Sequence, residues 1–213
     1  MSRLLNLTHC PVFEENGDAK VTTDYGKDIT DYPTVGKTGD HWGLDIVRST
    51  GGNNSKLANI VAIASGTVIG QRKYVRDGEK SPSGGNCVYI LHDDKKTITR
   101  YLHFKEGSVP DRIKDNVHVE KGERLGYMGN TGYSFGAHLH FQVEIVDELP
   151  EIIDHTLKGT VVDPEPYLTG EIVISAVPQK YAVMFLYDTE EEAREVALAF
   201  KVLGLNPVVT EVE

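Results

Sequence analysis

The sequence predicts a mainly β, antiparallel domain over residues 1–170, followed by a small α+β element of ββαβ order over residues 171–213. Three observations carry that expectation. Apolar runs before residue 170 are short, alternate with polar residues and are rich in Val, Ile, Tyr and Thr. Glycine-bearing turns separate them. No stretch before residue 170 has helical periodicity, whereas residues 193–203 do. With 213 residues, 39% hydrophobic and 25% charged, the chain suits one globular domain and a small appendage.

Residues 1–9 hold too short an apolar run for the core of a secretory leader and soon meet Glu14 and Glu15, so synthesis in the cytoplasm without a signal peptide is expected. No later segment reaches the roughly 18 apolar residues of a membrane span, so no membrane insertion is expected. Residues 11–40, rich in Gly, Asp, Thr and Lys, read as loop with a turn at 22–27 between short extended pieces, forming the wall of a site. In His41-Trp42-Gly43-Leu44-Asp45-Ile46-Val47 the spacing of His41 and Asp45 fits one face of a helix or of a strand. Gly43 and the alternation of Trp42, Leu44 and Ile46 favour the strand, with His41 and Asp45 on one face.

Residues 60–70 read as two short strands bent at Ser65-Gly66, and 74–85 as a surface loop. Residues 87–91 and Thr97–Phe104 form strands around a turn at Asp93-Asp94, with Tyr101 and His103 on one face. Residues 117–119 and 124–129 are brief strands about Lys121-Gly122-Glu123, and 130–136 loop into the last run of this region. That run is Gly136-Ala137-His138-Leu139-His140-Phe141-Gln142-Val143. As a strand it projects His138 and His140 from one face while Leu139, Phe141 and Val143 fill the other. Past residue 170, strands are expected at 172–177, 181–187 and 206–212, and a helix from the capped start Thr189-Glu190-Glu191-Glu192 to Gly204. A piece this short hardly sustains a core alone. It is expected to pack on the first domain or on its copy in a second subunit, as half a ferredoxin-like sandwich, which offers a route to self-association.

The 32 acidic against 22 basic side chains give a net charge of −10, which argues against a protein that coats nucleic acid or adheres to an anionic surface by charge. Binding has to come from a site. Cys10 and Cys87 make neither a disulfide framework nor a thiolate zinc site, and Cys87, within Asn86-Cys87-Val88-Tyr89-Ile90-Leu91, reads as a small buried hydrophobe. An isolated His-x-His is as readily two histidines on a solvated sheet face. Here His41, Asp45, His103, His138 and His140 all fall on predicted strands, each at even spacing from another polar residue. A zinc hydrolase needs three protein ligands and an open fourth position. Two imidazoles and one carboxylate leave the metal with net positive charge to acidify water, and two histidines remain for proton transfer and transition-state stabilisation.

His41-x-x-x-Asp45, the histidine of Tyr101-Leu102-His103 and the pair His138-Leu139-His140 resemble, in order and spacing, the motifs of the lysostaphin-type (LytM-type) zinc metalloendopeptidases that cut peptidoglycan cross-bridges. Tyr25-Gly26, residues 63–68, Gly85-Asn86, residues 119–126, Gly129-Asn130-Thr131-Gly132 and Val162-Asp163-Pro164 are similar to that family's framework, so the resemblance spans roughly 20–168. It implies that His41, Asp45 and His140 bind one Zn²⁺ per chain. His138 and His103 then lie beside the reacting water, one as base and the other as oxyanion partner and later proton donor, with His138 the favoured base. Tyr25 and Tyr101 are weaker candidates for substrate or supporting contacts. Ala137 stands where the family commonly has proline and Gln142 where it has glutamate; Gln142 either orients an imidazole or is a solvated strand residue. His9, His92, His118 and His155 read as surface or satisfied core residues, and Glu190 to Glu192 as a first helical turn complementing the dipole.

The expected function is a zinc-dependent endopeptidase that hydrolyses amide bonds in peptidoglycan stem peptides or cross-bridges. The expected setting is a phage-type lysin acting on the wall after release. The alternatives are a metal-free degenerate domain that binds or activates a wall hydrolase, or a phage virion component that uses residues 171–213 for assembly. Loss of ligand residues marks the degenerate kind, and here all five positions are filled.

Overall fold

The β-branched and aromatic runs form strands where the alternation places them. A computed structural model describes residues 3–4, 11–13, 19–26, 41–48, 58–150 and 153–175, all within one compact unit, Met1–Val177. Its strands are β1 (Arg3–Leu4), β2 (Val12–Phe13), β3 (Ala19–Thr23), β4 (Leu44–Arg48), β5 (Asn59–Val61), β6 (Gly66–Arg72), β7 (Asn86–His92), β8 (Thr97–Phe104), β9 (His118–Val119), β10 (Arg124–Tyr127), β11 (Leu139–Ile145) and β12 (Thr160–Val162). Among the described residues the helical element is α1 (Glu165–Thr169), closed by Gly170 in the left-handed conformation. No helix among them is long and apolar enough to cross a membrane.

All strand pairs are antiparallel. The larger sheet runs β1-β3-β4-β11-β8-β7-β6-β9, and β12 also pairs with β11; a smaller sheet runs β10-β5-β2. Strand β11 organises the whole. Along one edge it pairs with β8 from His140 to Ile145; the other edge is shared, with β4 on Leu139 to Phe141 and β12 on Val143 to Ile145. Its Leu139, Phe141 and Val143 enter the main core with Leu44, Ile46, Val88, Ile90 and Tyr101 from the larger sheet and Ile60 and Leu125 from the smaller. Phe141 is fully buried and its ring lies 5.3 Å from that of Tyr101. Burial of such a side chain is worth about 1.5–3 kcal/mol. The alternate residues His140, Gln142 and Glu144 face the other way. Towards the far end of that face, Ile69, Leu91, Ile98, Val146 and Leu157 form a second apolar cluster.

Four sequence expectations change. Residues 11–26 are not all loop, since β2 and β3 lie there. The strand expected from His41 begins only at Leu44, so His41 and Asp45 do not share a strand face; the chain bends at Gly43, where an added Cβ would sit 2.4 Å from the Phe141 carbonyl. Tyr101 and His103 do not share a face either, because His103 is the extra residue of a bulge: Cys87 pairs with Leu102, Asn86 with Phe104, and His103 has φ +66°. Residues 171–175 are bends and coil rather than strand, with the Ile172 N–H taken by the Pro166 carbonyl of the preceding helix at 2.9 Å. The rest of the expected tail, residues 176–213, lies outside the described residues, as do His9 and Cys10.

Candidate metal centre

The β4–β11 register sets Asp45 directly opposite His140, so the two side chains project side by side from one face. His41 arrives from the turn before β4. Its carbonyl accepts the Gly26 N–H at 2.8 Å and its ring Nδ1 lies 2.9 Å from the Asp24 carbonyl. Three atoms converge: His41 Nε2 is 3.0 Å from Asp45 Oδ1, His140 Nδ1 is 3.1 Å from the same oxygen, and the two nitrogens are 3.0 Å apart. The donor atoms of these three residues all lie within 4.8 Å of one another.

The chemistry of this donor set calls for a cation. A carbonyl oxygen only accepts, so His41 Nδ1 carries the proton and a neutral ring turns the Nε2 lone pair towards Asp45 Oδ1 and His140 Nδ1. Electron pairs face each other unless a proton or metal ion stands between them. Burial alone would depress the His41 imidazole, but the Asp45 hydrogen bond and charge raise it. Burial opposes ionisation of Asp45, and the His140 and His41 rings within hydrogen-bonding reach outweigh it, holding the carboxyl well below its usual range. Two imidazoles and a carboxylate at this spacing fit a tetrahedral zinc with one position open.

His138 and His103 stand beside this centre. His138 Nδ1 donates to the Gly136 carbonyl at 2.8 Å and its Nε2 lies 3.5 Å from Asp45 Oδ1. The bulge turns His103 to the same side, with Nδ1 donating to the Thr131 carbonyl at 2.7 Å and its ring 4.7 Å from that of His138. Both rings therefore present Nε2 as an acceptor. Burial pushes the His138 imidazole down. Burial, then the charges of His138 and His140, push His103 down to about 3.

The weaker sequence candidates make other contacts. Tyr101 is fully buried, and its hydroxyl accepts the Ile63 N–H at 3.1 Å, so it is a core residue rather than a substrate contact. Tyr101→Phe is expected to lower stability by about 1–3 kcal/mol, read by urea unfolding, with kcat/KM unchanged. The half-buried Tyr25 donates to the Val161 carbonyl at 3.3 Å. Gln142 neither orients an imidazole nor meets solvent: it is buried and donates to Glu144 Oε1 at 2.5 Å. Among the described residues, His92 is a satisfied core residue between the Ser65 carbonyl and the Thr99 hydroxyl, His118 an exposed partner of Asp93, and His155 an exposed residue.

Sequence reasoning missed Ser134, fully buried, whose hydroxyl lies 2.6 Å from Asn130 Oδ1 and 3.2 Å from His138 Nδ1. Only its place in the loop next to the motif pointed to it. Two aromatic side chains beside the motifs are also exposed, Trp42 next to His41 and Phe135 at 70%, with the Lys80 ammonium 5.2 Å from the Phe135 ring centroid.

The model of Peptidase family M23 matches residues 39–164. Lysostaphin of Staphylococcus simulans is 29% identical over 137 residues, 64% of this chain and 23% of that protein. The peptidoglycan DD-endopeptidase ShyA of Vibrio cholerae serotype O1 is 30% identical over 112 residues, 53% of this chain and 22% of that protein. The solved catalytic domain of the antimicrobial peptidase lysostaphin from Staphylococcus simulans is 26% identical, with 70% of this chain and 90% of that chain covered and a TM-score of 0.46. The chain spans less than a quarter of the length of the two relatives.

Proposed function

The chain belongs to peptidase family M23, and from that premise we propose that it is a zinc-dependent endopeptidase hydrolysing amide bonds of peptidoglycan stem peptides or cross-bridges. The observation that carries the metal is the convergence of His41 Nε2, Asp45 Oδ1 and His140 Nδ1 at 3.0–3.1 Å from one another. The printed description of ShyA as a peptidoglycan DD-endopeptidase supports the substrate class.

In this reading His41, Asp45 and His140 hold one Zn²⁺. Bound there, the ion supplies Lewis acidity, enough to bring the pKa of a water from about 15.7 towards 7. His138 takes a proton from the attacking water, because its Nδ1–H is spent on the Gly136 carbonyl and Nε2 is its acceptor. His103, with Nδ1 held by Thr131, becomes a donor at Nε2 only once protonated, so the proton that His138 takes at attack passes to it, and in that form it steadies the developing oxyanion. Charge on either ring opposes charge on the other across 4.7 Å. The pair therefore carries one proton at a time, and the proton taken at attack is returned to the leaving amine.

Purified protein is expected to contain one zinc per chain, measured by elemental analysis after gel filtration; a metal-free preparation that still cleaves peptidoglycan refutes the assignment. Mass spectrometry of fragments released from muropeptides of known chemistry identifies the bond cut. The reading extends to a phage-type lysin acting after release; activity in the soluble lysate supports it, and activity confined to purified virions favours the virion-component alternative. Residues 171–213 serve wall binding or assembly, so their deletion is expected to lower retention on sacculi or mass in solution, and no change in either refutes both roles.

A further inference from the structure

We infer that Thr131 is a positioning residue whose hydroxyl holds open the β7–β8 ladder, so that the bulge it maintains carries His103 to the metal face. The inference rests on the reading of that site as a peptidase centre. An unbroken antiparallel ladder continuing from Cys87 opposite Leu102 would set Asn86 opposite His103 and leave the His103 ring on the core side with Tyr101. Instead Asn86 faces Phe104, and His103 is left over in a left-handed conformation that a non-glycine residue keeps only where its surroundings enforce it.

Thr131 supplies that enforcement. Its Oγ1 accepts the Asn86 N–H at 2.9 Å and donates to the Phe104 carbonyl at 2.7 Å, so these two main-chain groups of facing strands meet through one hydroxyl. Thr131 is fully buried, which leaves solvent no access to take its place. Gly85 and Gly132 let the loop come this close: a Cβ on Gly85 would lie 2.3 Å from the Thr131 carbonyl oxygen, and one on Gly132 2.3 Å from Gly85 N. The same residue's carbonyl takes the His103 Nδ1–H. Thr131 thus sets the His103 backbone with its side chain and the ring tautomer with its main chain. A threonine that merely stabilised the loop would need neither contact to involve the residue flanking the bulge.

The test compares zinc-loaded Thr131→Val, which keeps the shape and carbonyl but loses the hydroxyl, with Thr131→Ser, which keeps the hydroxyl. Zinc per chain, kcat and KM on isolated peptidoglycan, and the ¹⁵N shifts of the His103 imidazole are read for both. Thr131→Val is expected to lose about 10²-fold in kcat through misplacement of His103, with KM and zinc content unchanged and the Nδ1–H signature of His103 lost. Thr131→Ser restores rate and signature to within a few-fold of the parent. A Thr131→Val chain with parental kcat, or with an unchanged His103 signature, overturns the proposal. Should Thr131→Val not fold, the parent chain decides: His103 protonated at Nε2 rather than Nδ1 overturns it, and Nδ1–H with a protected Thr131 hydroxyl proton supports it. If the parent leaves peptidoglycan intact, the peptidase reading fails while the His103 spectra still judge the role of Thr131.

Discussion

His140→Ala is expected to release zinc and abolish peptidoglycan hydrolysis, whereas His138→Ala keeps its zinc and loses about 10²–10⁴-fold in kcat. The two histidines are two residues apart and face the same side, yet their ring contacts differ. His140 Nδ1 sits in the three-way meeting with Asp45 Oδ1 and His41 Nε2, each about 3 Å away. His138 turns Nδ1 to the main chain at Gly136 and approaches Asp45 only to 3.5 Å. Removing the first leaves two donors, too few for a tight site. Removing the second leaves the three donors in place and takes away an acceptor. Zinc per chain and single-turnover rates on the two variants separate these outcomes. Equal loss of zinc from both would show that the division between ligand and base is wrong.

Glu144→Leu is expected to destabilise the domain by about 3–5 kcal/mol, because it strands a buried guanidinium. The carboxylate accepts Arg100 Nε at 2.6 Å, Arg100 Nη2 at 3.0 Å, Gln142 Nε2 at 2.5 Å and the Gly159 N–H at 3.0 Å. Arg100 is itself buried, with Nη2 also on the Leu157 carbonyl at 2.8 Å and the guanidinium 4.3 Å from the Tyr89 ring centroid. For a chain of this size the loss amounts to a fall in Tm on the order of 10 °C. The double variant Arg100→Leu with Glu144→Leu is expected to recover most of it, since a buried pair replaced by apolar side chains is often neutral. Thermal unfolding of the two single variants and the double gives the coupling energy. Additive losses would mean that the pair does not act as a unit.

The strands from 59 to 104 and from 139 to 145 were legible because Val, Ile and Tyr alternate there with enough contrast to fix both presence and face. Strand β3, Ala19-Lys20-Val21-Thr22-Thr23, has too little apolar contrast for its pattern to stand out from loop. The five candidate site positions were picked out by their motifs, but two of the geometric routes to them were not legible. Counting by twos assumes that each residue faces one partner, and His103 breaks that rule in a bulge imposed by a residue 28 positions away in sequence. His41 reaches Asp45 across a bend at Gly43, where the close approach of the β11 backbone leaves no room for a side chain. Gln142 shared the right face, yet its contact depends on Arg100 opposite it on β8 and on Glu144 beyond, a cross-strand relation that no local pattern encodes.

The acceptors that orient His41, His103 and His138 are the carbonyls of Asp24, Thr131 and Gly136, main-chain groups that every amino acid provides. Tautomer control thereby rests on main-chain carbonyls in two loops, the one after β3 and the one that joins β10 to β11. Those loops are free to change their outward side chains, Phe135 among them, without rewiring the proton positions at the centre. Libraries that vary exposed loop positions while preserving backbone length are therefore a route to new cleavage preferences, and insertions or deletions beside residues 24, 131 and 136 are the changes that such a library should avoid.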